Sequence, residues 1–267
     1  MKDEIKSCWV GDRLIPLSNA CINSFGAHGF RFTLYTYNPV RFVPSFTTVL
    51  DGAALVPRDR VFEAHGGVET FCDLFAYHCL DAVGGWWVDN DVLCNADRLP
   101  DVDIAFAEER PGVINNAVLK FPPHHPVIGA LLDYIATVDP VTGPWGITGP
   151  AALTRVFNEQ GIASQARPPA EIYPLHWREA PKLLFPEFTQ EVTDKIGDAP
   201  FVHLWGATLR EVGFNDQRPL PDSYMDRIYS RYLDAEMLDL LEPTDDAAFR
   251  QSVQRHVEQQ WQMPFPL

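Results

Sequence analysis

The sequence predicts an α/β fold, a sheet flanked by helices with further helices at the C-terminal end, and three features carry that expectation. The chain opens in β-α-β order, which favours an α/β sheet. One helical segment holds an unbroken apolar stripe, with apolar residues at 68, 71, 72, 75, 76, 79, 80 and 83 spaced by threes and fours. Behind it a glycine pair and an apolar strand run straight into the triplet Asp89-Asn90-Asp91.

Taken in order, Lys6–Val10 reads as a short buried strand. Leu17–His28 reads as a helix capped by Ser18 and stopped by Gly29. Arg31–Tyr37 is strand-like in its β-branched and aromatic content. Pro39, Pro44 and Pro57 mark an irregular connection, with a short strand expected near Thr47–Leu50. The striped helix spans Val68–Val83, Gly84-Gly85 ends it, and Trp86-Trp87-Val88 follows as a strand. Further strands are expected at Val102–Ala107 and Val113–Leu119, and helices at Pro126–Val138 and Pro150–Gln160. An irregular proline-rich stretch covers 167–190, Phe201–Leu204 forms a late strand, and amphipathic helices at 222–241 and 245–260 finish the chain. No linker is long enough to separate independent units, so 1–221 is expected to form one domain with 222–267 as a helical extension packed on it.

Composition narrows the function. The 267 residues, 46% hydrophobic and 12% aromatic, supply a sizeable core. A net charge of −15, from 21 lysines and arginines against 36 acids, argues against a duplex nucleic acid partner and against polybasic membrane recruitment. Such a chain binds a small anion, a nucleotide diphosphate for instance, only with local help from a divalent cation, helix N-termini or a few placed arginines. The first residues are charged, with no signal-like apolar stretch, and no window approaches a membrane span. The expectation is a soluble, cytoplasmic protein. The five cysteines form no CxxC pair, and Cys72 and Cys79 fall on the apolar stripe as small buried hydrophobes.

An Asp-x-Asp triplet is weak evidence by itself, since acidic chains produce it by chance, and Asp101-Val102-Asp103 provides an internal example that reads as a solvated strand edge. Asp89 and Asp91 differ in context. They follow an apolar strand, and strand ends are where α/β folds present their functional groups. Two carboxylates at i and i+2, where strand gives way to loop, can serve one hard cation such as Mg²⁺ or Mn²⁺ and leave coordination sites for diphosphate oxygens. The alternative is a solvated turn after a core strand. Gly26-Ala27-His28-Gly29 lacks the third glycine of a dinucleotide loop, which argues against a nicotinamide enzyme.

The stretch Phe71–Leu80 with Gly84–Asp91 resembles the DXD-containing sugar-binding region of capsular-polysaccharide-type glycosyltransferases, distant relatives of the large clostridial glucosylating toxins. Trp9-Val10-Gly11, Ser24-Phe25, His28-Gly29, Leu34–Tyr37, Asn115-Asn116-Ala117, Thr148-Gly149-Pro150 and His203-Leu204-Trp205 fall in order at family-like places, over about residues 5 to 230. The resemblance implies a GT-A fold, a nucleotide-sugar-binding mixed sheet flanked by helices. It further implies retaining transfer of a sugar from a nucleotide donor, a UDP-sugar in the first instance, to a hydroxyl acceptor in polysaccharide synthesis.

Carried over by position, Trp9 stacks on the nucleotide base with Val10 beside it, and Asp73 contacts the donor sugar. Asp89 holds the ribose or sugar and reaches the metal, Asn90 contributes to the donor site, Asp91 is the direct Mn²⁺ or Mg²⁺ ligand, and His203 completes the metal site. Asp73, Asp89 and Asp91 are thus the expected catalytic set. Read without the resemblance, Asp73 is equally a solvated helix carboxylate, Trp9 a core residue and His203 a satisfied core histidine.

Two positions depart from the family. Ala76 stands where it places an arginine, with His78 the next basic residue, and Gly206 stands where an asparagine commonly follows the late His-Leu-Trp. Ala76 supports a second expectation, a non-catalytic sugar- or nucleotide-binding descendant of the fold. A third, a metal-dependent hydrolase, would need His78 as its base.

Overall fold

The structure, a computed structural model, describes residues 2–262 and Phe265; residues 1, 263, 264, 266 and 267, at the ends of the two expected regions, lie outside the described residues. The first part of the chain winds β1 (Glu4–Trp9), α1 (Pro16–Ala27), β2 (Arg31–Thr36) and β3 (Thr48–Asp51). Then follow α2 (Glu69–Ala82), β4 (Gly85–Val88), β5 (Val92–Cys94), β6 (Ala105–Arg110), β7 (Val113–Phe121), α3 (Pro126–Ile135) and α4 (Pro150–Glu159). The remainder comprises α5 (Pro169–Ile172), α6 (Thr189–Ile196), β8 (Phe201–His203), α7 (Gly206–Glu211), α8 (Tyr224–Tyr232), α9 (Ala235–Asp239) and α10 (Asp246–Gln260).

Six strands form a mixed, mostly parallel central sheet in the order β3-β2-β1-β4-β7-β6, flanked by helices. The first four strands in that order run parallel, β7 runs antiparallel to β4, and β6 pairs antiparallel with β7. Side chains alternate between the faces, as the pleat requires. Trp87, Cys8 and Leu119 enter a core with α2, α3 and α4, whereas Trp86, Ile5 and Val88 enter another with Ile22 and Phe25 of α1. A third core gathers α6 to α10 against Leu17 and Cys21 of α1.

The expected elements are present, with local corrections. Pro16, not Ser18, opens α1, and Ser18 is buried. The strand expected from Val102 starts at Ala105, and Asp101 and Asp103 are exposed in the loop before it. The helix expected over 222–241 breaks in two. Leu233 turns extended, and the Asp234 side chain accepts a hydrogen bond from Met237 N to start α9. Within the proline-rich stretch, α5 and two segments of 3-10 helix form, and α6 starts at its end.

The glycine pair before β4 is required by geometry. Gly84 has φ +67°, and a Cβ there would lie 2.5 Å from the backbone nitrogen of Pro123 and 2.9 Å from the carbonyl oxygen of Phe121. Both clashes are with backbone, and the left-handed conformation adds its own penalty. Gly84→Ala is expected to cost about 3 kcal/mol of stability, read as a lowered midpoint in urea unfolding.

Candidate active site

The chain order fixes where the site lies. From β1 the sheet grows through β2 to β3, and from β4 it grows through β7 to β6. The crevice beyond the carboxyl ends of β1 and β4 is therefore the topological switch point, the place where open α/β sheets bind ligands. Trp9 ends β1 and Asp89 directly follows β4. A cleft of about 970 Å³ opens there, and Trp9, Val10, Asp73, Asp89, Asn90, Asp91 and His203 all line it. The seven residues expected to form the site thus reach one cavity from β1, α2, the turn after β4, and β8.

The turn after β4 is tightly fixed. The Asp89 amide donates to the Ala117 carbonyl oxygen at 2.8 Å, extending the β4–β7 ladder by one bond, and the Val92 amide closes the turn onto the Asp89 carbonyl at 3.1 Å. The Asn90 side chain spans to β1, accepting from the Ser7 hydroxyl at 2.9 Å and donating to the Cys8 carbonyl at 2.6 Å. Asn90 therefore lines the cleft but commits its amide to locking β1 beside the acidic turn. The Asp89 carboxylate accepts from the Trp87 indole N–H at 3.0 Å. Burial first and the neighbouring Asp91 second push its carboxyl up to about 7.

Asp91 sits in the opposite electrostatic environment. Burial alone would raise its carboxyl, but the His203 imidazole, the Gly206 amide and Arg210 outweigh burial and hold it below the usual range. Its Oδ2 accepts from Gly206 N at 2.7 Å, and its Oδ1 lies 3.3 Å from His203 Nε2. The antiparallel pairing of β5 with β8 brings the histidine there by setting Val92 opposite His203, and Leu204 N donates to the Asp91 carbonyl at 2.9 Å. The His203 ring stacks on Trp205 with centroids 3.9 Å apart. Burial works against its charged form, but Asp91 and then Asp89 and Glu109 prevail and raise its pKa.

After His203 the chain makes an unusual turn. Trp205 is in the left-handed conformation, φ +57° and ψ +56°, held by its indole N–H on the Leu175 carbonyl at 2.9 Å. A non-glycine residue in this conformation is strained by about 1–2 kcal/mol. The turn aims the Gly206 amide at Asp91, so a backbone N–H holds the carboxylate at the position where the resembled family has asparagine. A Cβ at Gly206 would come within 3.1 Å of Asp91 Oδ2 and 3.0 Å of Leu17, so a side chain there would press directly on the site.

Asp73 is not the solvated helix carboxylate that its sequence position allows. It accepts hydrogen bonds from Asn116 Nδ2 at 2.7 Å and from the Thr148 hydroxyl at 3.0 Å, while the Tyr77 hydroxyl donates to the Thr148 carbonyl at 2.8 Å. Burial and then Asp89 push it up to about 8, although Thr148 and Asn116 pull the other way. The landmarks Asn115-Asn116-Ala117 and Thr148-Gly149-Pro150 thus meet at this carboxylate. No spacing in the sequence revealed that convergence, because β7 and the loop before α4 join only in the folded sheet.

Other residues of the cleft were missed outright. Glu109, at the end of β6, lines it and accepts from Asn115 Nδ2 at 2.8 Å. Arg110, Arg155 and Arg210 also line it, paired with Glu109, Glu159 and Glu69 respectively. Ala76 is fully buried in the core beneath the cleft, and neither it nor His78 lines the cavity. That placement keeps His78, the base expected for a hydrolase, out of the cleft. Among the described residues no group of three or more His, Cys, Asp or Glu is gathered to hold a metal ion. Of the three expected ligands, Asp91 and His203 form a touching pair, and Asp89 is hydrogen-bonded to Trp87. Among the described residues no helix is long and apolar enough to cross a membrane.

No protein-family model and no curated protein matches the chain. Among solved structures it is similar to the apo form of WbbM, a bifunctional glycosyltransferase, at 13% identity and a TM-score of 0.51, over 90% of this chain and 51% of that one. It thus spans about half the length of that protein. It is also similar to the PaToxG glycosyltransferase at 12% identity and a TM-score of 0.45, over 62% of this chain and 71% of that one. The mixed sheet with helices on both faces is the fold this chain shares with WbbM.

Proposed function

We propose that the chain is a metal-dependent glycosyltransferase of the GT-A kind, allied to the capsular-polysaccharide sugar transferases. In this reading it moves a sugar from a nucleotide donor, a UDP-sugar, to a hydroxyl acceptor with retention, in polysaccharide synthesis. The observation that carries the reading is the convergence of Trp9, Asp73, Asp89, Asp91 and His203 on one cleft at the switch point of the sheet. The shared fold with a glycosyltransferase supports it as analogy.

Two of the three expected ligands are spaced for a divalent cation. Asp91 Oδ1 and His203 Nε2, 3.3 Å apart, have about the separation of neighbouring ligands on an octahedral ion with ~2.1 Å bonds. Asp89, pushed up by burial and by Asp91, is a carboxylate whose ionisation a nearby cation would favour. Asp91 and His203 would hold Mn²⁺ or Mg²⁺, with Asp89 beside them, and the ion would supply charge neutralisation on the departing nucleoside diphosphate. The remaining tasks fall to the chain. Trp9 offers a ring face for the base, Asp73 accepts hydrogen bonds from the donor sugar's hydroxyls, and the Asn90 bridge keeps β1 and the acidic turn in register.

The test is release of free nucleotide from a panel of nucleotide sugars, with manganese or with chelator. Manganese-dependent release from one donor is expected. A second reading, a binding-only descendant, draws on Ala76, which leaves α2 without a cation beside Asp73. Donor binding with no consumption under any acceptor supply would favour it. No binding to any donor would end both readings.

A further inference from the structure

Six of the seven tryptophans line this one cleft, and Trp145 stands apart from the other five. It is 59% exposed, the most exposed large hydrophobic residue described. An exposed indole in the lining of a cleft presents a flat apolar face and a polar N–H to whatever the cleft binds. The exposure is built into the fold. Asp139 caps the loop that carries Trp145, accepting from the Val141 and Thr142 amides at 2.9 and 3.2 Å. Thr148 anchors the other end on Asp73 and Tyr77. Facing it, a tight turn closed by reciprocal Ala64–Gly67 backbone bonds presents His65, whose ring meets the Trp145 ring edge-on at 5.7 Å.

Position within the cleft decides what Trp145 meets. The nucleotide end is marked by Trp9 on β1 and the sugar end by Asp73 on α2. Trp145 is three residues from Thr148, the residue bonded to Asp73, and so belongs to the sugar end. An acceptor hydroxyl must approach the donor sugar there. The charged side chains that β6 and α4 contribute to the cleft are paired: Glu109 with Arg110 at 3.3 Å, and Arg155 with Glu159 at 2.9 Å. A wall of exposed indole with its neighbouring charges neutralised suits a ligand that has apolar C–H faces, many hydroxyls and no charge.

We propose, resting on the transferase reading above, that Trp145, backed by His65, forms an acceptor subsite for an uncharged saccharide. The sugar ring lies on the indole and presents its hydroxyl toward the Asp73 end of the cleft.

The test is an array of neutral oligosaccharides, anionic oligosaccharides and unglycosylated peptides, probed with labelled protein in UDP and manganese. Wild-type protein is expected on a subset of neutral oligosaccharides. Trp145→Ala should lose about tenfold in apparent affinity, and Trp145→Phe should retain most of it. Circular dichroism of each variant controls for folding. Retention only by anionic glycans or peptides, no retention, or Trp145→Ala matching the wild type overturns the subsite. Calorimetric titration of the same preparations with nucleotide sugars separates the two claims. Wild-type protein that binds no donor sinks the transferase reading, whereas donor binding with an array signal insensitive to Trp145 sinks only the subsite.

Discussion

Asp91→Asn is expected to lower manganese-dependent nucleotide release by about a thousandfold, roughly 4 kcal/mol of transition-state stabilisation, while the protein stays folded. The substitution is nearly isosteric, and the new amide oxygen still accepts from Gly206 N, now 2.7 Å from the carboxylate. What disappears is the charge. In the wild type that charge stays available because His203, Gly206 and Arg210 together hold the carboxyl low despite its burial. Asp103→Asn is the matched control. It removes an aspartate from the other Asp-x-Asp triplet, which is exposed in the loop before β6, and should leave turnover unchanged. The measurement is initial rate against manganese concentration for both variants. Equal rates for Asp91→Asn and wild type would remove Asp91 from the metal site and the transferase reading with it.

The contrast between these two triplets shows what could be read before folding. Apolar periodicity located α2, and the glycine pair with the apolar run located β4, so the placement of the acidic turn at the end of a sheet strand was legible. The partners of that turn were legible only through ordered landmarks. His203 reaches Asp91 because two three-residue strands, β5 and β8, pair across more than a hundred residues. The segment of β8 was legible as a late strand, but β5 is too short to announce itself, and the pairing of the two is not encoded in either segment. Asn116 and Thr148 bond Asp73 for the same reason. Asn116 arrives because β7 lies beside β4, and Thr148 arrives on the loop before α4, placements that local propensity does not encode. The α8–α9 break was missed because the apolar spacing continues through Leu233, while the Asp234 cap interrupts the backbone helix. Gly206 shows the reverse case. Its lack of a side chain reads in the sequence as lost support for His203, yet the Trp205 turn brings a backbone donor to Asp91, the carboxylate His203 touches.

Asp73→Asn is expected to separate activity from stability, lowering transfer by about a hundredfold while stabilising the ligand-free protein at alkaline pH. Asp73 is a carboxyl pushed up to about 8, by burial first and Asp89 second. An acid whose folded pKa lies above its unfolded value binds more protons folded than unfolded throughout the interval between them, so stability falls as pH rises across that interval. Here it runs from about pH 4 to pH 8. Wild type should lose about 1 kcal/mol per pH unit relative to the asparagine variant between pH 5 and 8. Below pH 4 this contribution vanishes. The asparagine keeps the bond from Asn116 through its oxygen, and its amide can donate to the Thr148 hydroxyl in place of the bond it received, so the fold loses little. Urea unfolding of both proteins at a series of pH values reads the effect, and parallel curves would show that Asp73 ionises as an ordinary carboxylate. Sugar hydroxyls donating to the carboxylate would stabilise its ionised form, so saturating donor should raise wild-type stability at pH 8 by about 2–3 kcal/mol. The asparagine variant, which has no buried charge to satisfy, should gain less. A carboxylate that destabilises the empty protein and is stabilised by its ligand is the behaviour of a binding group, and it distinguishes Asp73 from a structural hydrogen-bond acceptor of the same geometry.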